Sequence, residues 1–144
     1  MDSSFDPSGP ALSDGVFGQP LSAAESRVIL MPVAWEATTS YRRGTAMGPA
    51  NILECSRQVD LFDPVFGKVY ERGIHMLGPD ADIEELNRRA CSLAMPIIQQ
   101  GGAIGSRDLS ADLAAVNELS LALNRRVREG AQTWLDQGKV VGIV

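Results

Sequence analysis

The chain has 144 residues, with 13 lysines and arginines against 18 acids, a formal net charge of -5, 44% hydrophobic and 22% charged residues. That size and composition suit one soluble domain with a single core, and the acidic balance argues against nucleic acid as a partner, because phosphate binding needs a basic footprint. No apolar stretch approaches the roughly 20 residues of a membrane span, and the N-terminus lacks a basic region followed by an apolar core. No membrane partner is expected, therefore, and the expected location is cytoplasmic.

In chain order, residues 1–25 are rich in Ser, Pro, Gly and Asp with scattered apolar positions such as Val16 and Phe17. They read as an arm, flexible or lying on a neighbouring subunit, and not as a core element. Residues 26–144 read as the domain. Val28, Ile29, Leu30, Met31 and Val33 form a short apolar run, the pattern of a parallel strand covered on both faces. Pro32 is compatible with it only near a sheet edge or at the strand's end. A polar loop follows, then a helix over residues 48–59 opened by Gly48-Pro49, proline being suited to a first helical turn.

Asp63-Pro64 marks a turn, and residues 68–77 (KVYERGIHML) read as a short strand or extended connection. Apolar residues at Ile83, Leu86, Ala90, Leu93, Ala94, Ile97 and Ile98 predict a helix over residues 82–100. Asp80 or Asp82 would cap it, and Pro96 should kink or shorten its end. Gly101-Gly102-Ala103-Ile104-Gly105 is a hinge or loop. A long amphipathic helix is predicted over residues 110–137 from Leu113, Val116, Leu119, Leu123, Val127, Ala131 and Trp134, stopped by Gly138. Residues 139–144 (KVVGIV) read as a buried parallel strand. Strand, helix, helix, strand is the order of an α/β fold with a parallel sheet.

The densest chemistry lies in the loop after the first strand, where Trp35, Glu36, Thr38, Thr39, Ser40, Tyr41, Arg42 and Arg43 gather hydroxyl, carboxylate and guanidinium groups. A loop at the carboxyl end of a strand is where open α/β sheets hold ligands, so these eight are the substrate-loop candidates; capping of the loop by its own hydroxyls is the alternative. Two readings are open for Glu36. With the Trp35 ring it would orient a cationic guanidinium, or it would pair with Arg42 or Arg43 while Trp35 packs beneath the loop.

The strand with Pro32, Trp35-Glu36, Thr39-Ser40-Tyr41, Gly44, Gly48-Pro49, Ile52-Leu53, Ser56 and Val59-Asp60-Leu61 together resemble the opening of the ureohydrolase (arginase/agmatinase) family. The loop looks nearer to agmatinase-like guanidino hydrolases than to arginases proper. The resemblance covers about residues 27–144 and is strongest over 32–61. It implies the N-terminal portion of a three-layer α/β/α fold, incomplete in this chain, and a parent enzyme that splits the C–N bond of a linear guanidino compound to release urea. It also implies a homo-oligomer and two divalent ions in the complete enzyme, manganese or else nickel.

The family's metal ligands are a Gly-Gly-Asp-His motif after the strand that residues 139–144 match, then Asp-x-His-x-Asp and Asp-x-Asp groups, and none is present in these 144 residues. No catalytic and no metal-binding residue is therefore assigned, and the chain is expected to be an N-terminal fragment that is inactive and metal-free alone. The single histidine, His75, has no acid at helical or strand spacing and reads as packed or surface-exposed. Asp80-Ala81-Asp82 reads as a helix cap with favourable N-terminal charge. Cys55 and Cys91 read as reduced thiols. Two alternatives stay open: a non-catalytic remnant or partner subunit docking on a complete homologue, and an unrelated small α/β domain binding an anion at residues 38–48.

Overall fold

A computed structural model describes residues 5–6, 9–39 and 42–144. The chain divides into two compact units. One comprises the N-terminal stretch to Pro32, Gly48–Gly78 and Ala131–Val144; the other comprises Val33–Met47 and Pro79–Gly130.

The first unit is built on a parallel three-stranded sheet: β1 (Val28–Met31), β2 (Ile74–Met76) and β3 (Val140–Ile143) in the order β2-β1-β3. Val28 is opposite both Ile74 and Val140, so the first strand in sequence is the central one. Pro32 follows immediately, and since proline has no N–H to give a ladder, the central strand ends there. Ile29 is 0% and Met31 5% exposed, while Val28 and Leu30 are half-buried, so one face of β1 is fully covered.

β3 is parallel as predicted, but the prediction that it is buried does not hold: Val140 is 52% and Ile143 50% exposed. Among the described residues it is an edge strand, paired with β1 alone. An apolar run reports the capacity to be buried, and burial itself depends on neighbours.

The helix after the loop is α1 (Gly48–Ser56), three residues shorter than the 48–59 predicted. Its last residue, Ser56, is buried, and its hydroxyl accepts the N–H of Phe17 at 2.9 Å and donates to the carbonyl of Leu53 at 2.8 Å. Residues 68–77 are only partly strand, because Val69–Arg72 form a 3-10 helix before β2. Gly73 makes that switch at φ 78, where a Cβ would stand 2.9 Å from the Cα of Ser26. Only glycine combines that dihedral with so close an approach.

The segment with arm-like composition holds three buried residues among those described, Val16, Gly18 and Gln19. Val16 and Gln19 are each 2% exposed, in and beside the 3-10 helix Val16–Gly18, which lies against α1 and β2. The Gln19 amide donates to the carbonyl of Tyr70 and accepts from the N–H of Ile74, at 3.0 and 2.9 Å. A side chain thus satisfies backbone groups at the start of β2.

The second unit contains α2 (Ala81–Gln99) and most of α3 (Arg107–Leu135). Asp80, not Asp82, is the cap of α2: its carboxylate accepts the N–H groups of Asp82 and Ile83. Pro96 lies inside α2, which runs three residues beyond it. Leu109, Val116, Leu119 and Leu123 are the buried stripe of α3, whereas Leu113 is 41% exposed. α3 closes in the first unit with a Schellman arrangement, Lys139 N–H to the carbonyl of Trp134 and Gly138 N–H to that of Leu135, Gly138 at φ 74. A parallel sheet with three α-helices makes this an α/β fold.

Candidate functional site

The chain leaves β1 at Met31 and enters the loop that carries the candidate residues. Within the second unit, that loop is organised by Glu36. One carboxylate oxygen accepts from Arg43 through Nε at 2.8 Å, with Nη2 also at 2.8 Å. The other accepts the N–H of Gly44 at 2.6 Å and that of Ala46 at 3.5 Å. The Glu36 carbonyl holds the N–H and hydroxyl of Thr39, and its own N–H donates to the side-chain oxygen of Asn87 on α2 at 2.8 Å.

The N–H of Gly44 and, against the pull of burial, Arg43 together hold the Glu36 carboxyl below the ordinary carboxylate range. The same pairing raises Arg43. Glu36 is ionised and spoken for, with its side chain only 9% exposed. Of the two roles open to it, pairing with Arg43 is the one formed.

Trp35 packs against the buried cluster of Ala37, Ala90, Cys91 and Leu119, and its indole N–H donates to the Thr38 hydroxyl at 3.3 Å. Trp35 therefore braces the loop from beneath. Thr38 is exposed, while Ser40 and Tyr41 lie outside the described residues.

Glu36, Ala37, Thr39, Arg42 and Arg43 form one wall of a cleft of about 140 Å³; Cys91, Met95, Ile98 and Gln99 of α2 form the other. Burial pushes the Cys91 thiol up, against the opposing influence of Arg43, so it stays protonated. Of the loop wall, sequence reasoning named Glu36, Thr39, Arg42 and Arg43 but not Ala37, and it missed the helical wall. Asn87, Cys91 and Met95 recur at steps of four on one face of a helix, and that spacing was the available signal.

His75 is half-buried in the first unit with Nδ1 at 2.8 Å from the carbonyl of Leu21. Asp80 and Asp82 are both engaged by Arg126, at 2.8 and 3.2 Å. Burial raises Asp80, but Arg126 and the capping N–H groups outweigh it and hold the carboxyl low. Among the described residues no group of three or more His, Cys, Asp or Glu converges on a point where a metal ion would sit. Glu36, the acid lining the cleft, is committed to Arg43 and to backbone N–H groups, so the residues present do not fit a pair of divalent ions.

The chain is 40% identical over 63 residues to the N(1)-aminopropylagmatine ureohydrolase of Synechocystis sp., a stretch covering 42% of this chain and 21% of that relative. The match thus spans about a fifth of the relative's length. No solved structure matches the chain significantly. The arginase-family profile matches residues 26–142, taking in the loop, α1 to α3 and all of the sheet except Ile143. The chain belongs to the arginase family.

Proposed function

We propose that the chain takes part in the hydrolysis of a linear guanidino compound, with C–N cleavage releasing urea in the agmatinase-like manner, and that residues 33–47 supply the rim over which substrate passes. The observation that carries this reading is the family match over residues 26–142. The name of the Synechocystis relative, a ureohydrolase of an agmatine derivative, supports it. Trp35, Glu36, Thr38, Thr39, Ser40, Tyr41, Arg42 and Arg43 are the rim residues in this reading, with Glu36 positioning the loop and Arg42 and Arg43 facing ligand.

Two divalent ions, manganese or nickel, held by residues other than these would supply activation of water in such chemistry, and no step of it is assigned to these residues. A cytoplasmic homo-oligomer belongs to the same reading. The test is metal content and urea release from the purified 144-residue chain with manganese or nickel added. Neither stoichiometric metal nor turnover is expected; stoichiometric metal with turnover would overturn the assignment of these residues to the rim alone.

The open edge of β3, with Val140 and Ile143 half-exposed, favours a second reading in which the chain docks on a complete homologue without catalysing anything itself. A chain that runs as a monomer in size-exclusion chromatography, alone and mixed with such a homologue, counts against it.

A further inference from the structure

We infer that the cleft between residues 36–43 and α2 is an aliphatic subsite, built for an unbranched run of methylenes and not for a charged group. This rests on the reading of residues 33–47 as the substrate rim. It adds that the substrate class is a guanidino compound with a long carbon chain, in preference to guanidine itself.

The polar groups lining the cleft are occupied with one another. Glu36 receives Arg43 on one carboxylate oxygen and the N–H of Gly44 on the other. Arg43 in turn spends Nε and Nη2 on Glu36 and also bonds the Cys91 thiol, which itself donates to Oδ1 of Asn87 at 3.5 Å. The Thr39 hydroxyl donates to the Glu36 carbonyl at 2.8 Å, and Arg42 is engaged too. Gln99, the remaining polar member of the lining, is exposed to solvent. A charged group entering the cleft would have to break into these pairs, and a group left without its partner away from water is costly.

The surface left for a ligand to cover is carbon and sulfur. Met95 is 38% and Ile98 48% exposed, three residues apart on one face of α2, with Ala37 and Cys91 beside them in the lining. Removing such apolar surface from water is favourable in itself and asks for no directional partner, and the unbranched Met95 side chain adapts to the chain laid against it. The cleft measures about 140 Å³. An apolar cavity of about 150 Å³ takes up benzene, so there is room here for roughly four to six carbon atoms. That is smaller than a pocket enclosing a whole small-molecule ligand, which leaves the polar ends of a substrate outside the cleft.

Methyl NMR of the 144-residue chain, labelled at Met and Ile methyls, tests this with three kinds of probe. The 1-alkanols from butanol to hexanol are neutral chains, agmatine is a four-methylene chain between two cations, and guanidinium chloride is a head with no chain. The alkanols should shift the Met95 and Ile98 methyl signals saturably, with affinity rising about two- to fourfold per added methylene. Ile104, 100% exposed and outside the cleft, should not respond. Agmatine should move the same two signals and guanidinium should not. Met95→Gln should weaken hexanol binding by about threefold or more and Met95→Leu should keep most of it, with unchanged circular dichroism in both.

Guanidinium moving the Met95 and Ile98 signals as far as agmatine does would overturn the aliphatic subsite and leave the guanidino reading standing. Saturable binding of alkanols without agmatine would uphold the subsite and count against the guanidino reading. Alkanols that fail to saturate, or that bind equally at every chain length, would overturn the subsite, with urea release remaining the separate measure of the broader reading.

Discussion

Glu36 combines three attachments that a loop of this composition needs: an ion pair, two backbone N–H groups donating to its carboxylate and, through its own N–H, a tie to Asn87. Its carboxyl titrates below the ordinary value of 4.5 in the folded chain. Its contribution to stability is therefore complete above about pH 4.5 and is lost as pH falls through the lower folded value. Hydrogen exchange at the Gly44 amide should speed up over that acid window and stay flat above it. In Glu36→Gln the acid step should vanish, the amide should exchange faster at all pH values, and stability should drop by about 1–2 kcal/mol. The pairing with a nearby arginine was legible because Glu36 is the only acid in the loop. Asn87 and Cys91 were not, because their place in the site depends on which face of α2 meets the loop, a tertiary fact.

At the level of elements, Asp80 joins the start of α2 to the middle of α3 by capping one and pairing with Arg126 of the other. Two substitutions separate these roles. Asn caps as well as Asp does, so Asp80→Asn should lose only the ion pair, while Asp80→Ala loses both and costs about 0.5–2 kcal/mol more. Urea denaturation of the two variants measures the difference, and equal losses would show the cap to be idle.

The helices were readable because their apolar spacing is long and regular, and Gly138 stops α3 through backbone geometry that belongs to glycine. The 3-10 helix Val69–Arg72 was not, since a turn so short has no period to detect. Val16 and Gln19 escaped for a different reason. Each is an isolated anchor in a polar stretch, and nothing local distinguishes an anchored glutamine from a solvated one.

For the whole molecule, the class of fold and the parallel sheet followed from element order, and the uneven covering of that sheet did not. β3 presents Val140 and Ile143 half-exposed beside an edge that no strand among the described residues pairs, the kind of surface that invites strand addition. Ile143→Lys should reduce concentration-dependent light scattering of the chain at neutral pH while leaving far-ultraviolet circular dichroism unchanged. Scattering that persists unaltered would place the sticky surface elsewhere, for instance around the Asp63 turn, where Val65 and Phe66 are 79% and 76% exposed.

The sheet register also carries a schedule. Val28 can pair with Ile74 once α1 and its following turn exist, but it meets Val140 only after the whole of α2 and α3 has been made. The same late arrival brings Lys139, whose ammonium group binds the carbonyls of Ala23, Ala24 and Ser26 across as many as 116 residues of chain. Such distant closures are slow because the intervening chain must first be gathered. During synthesis β1 therefore waits with its β3 side bare while α2 and α3 are laid down, and the Lys139 clasp is the stitch that ends the wait.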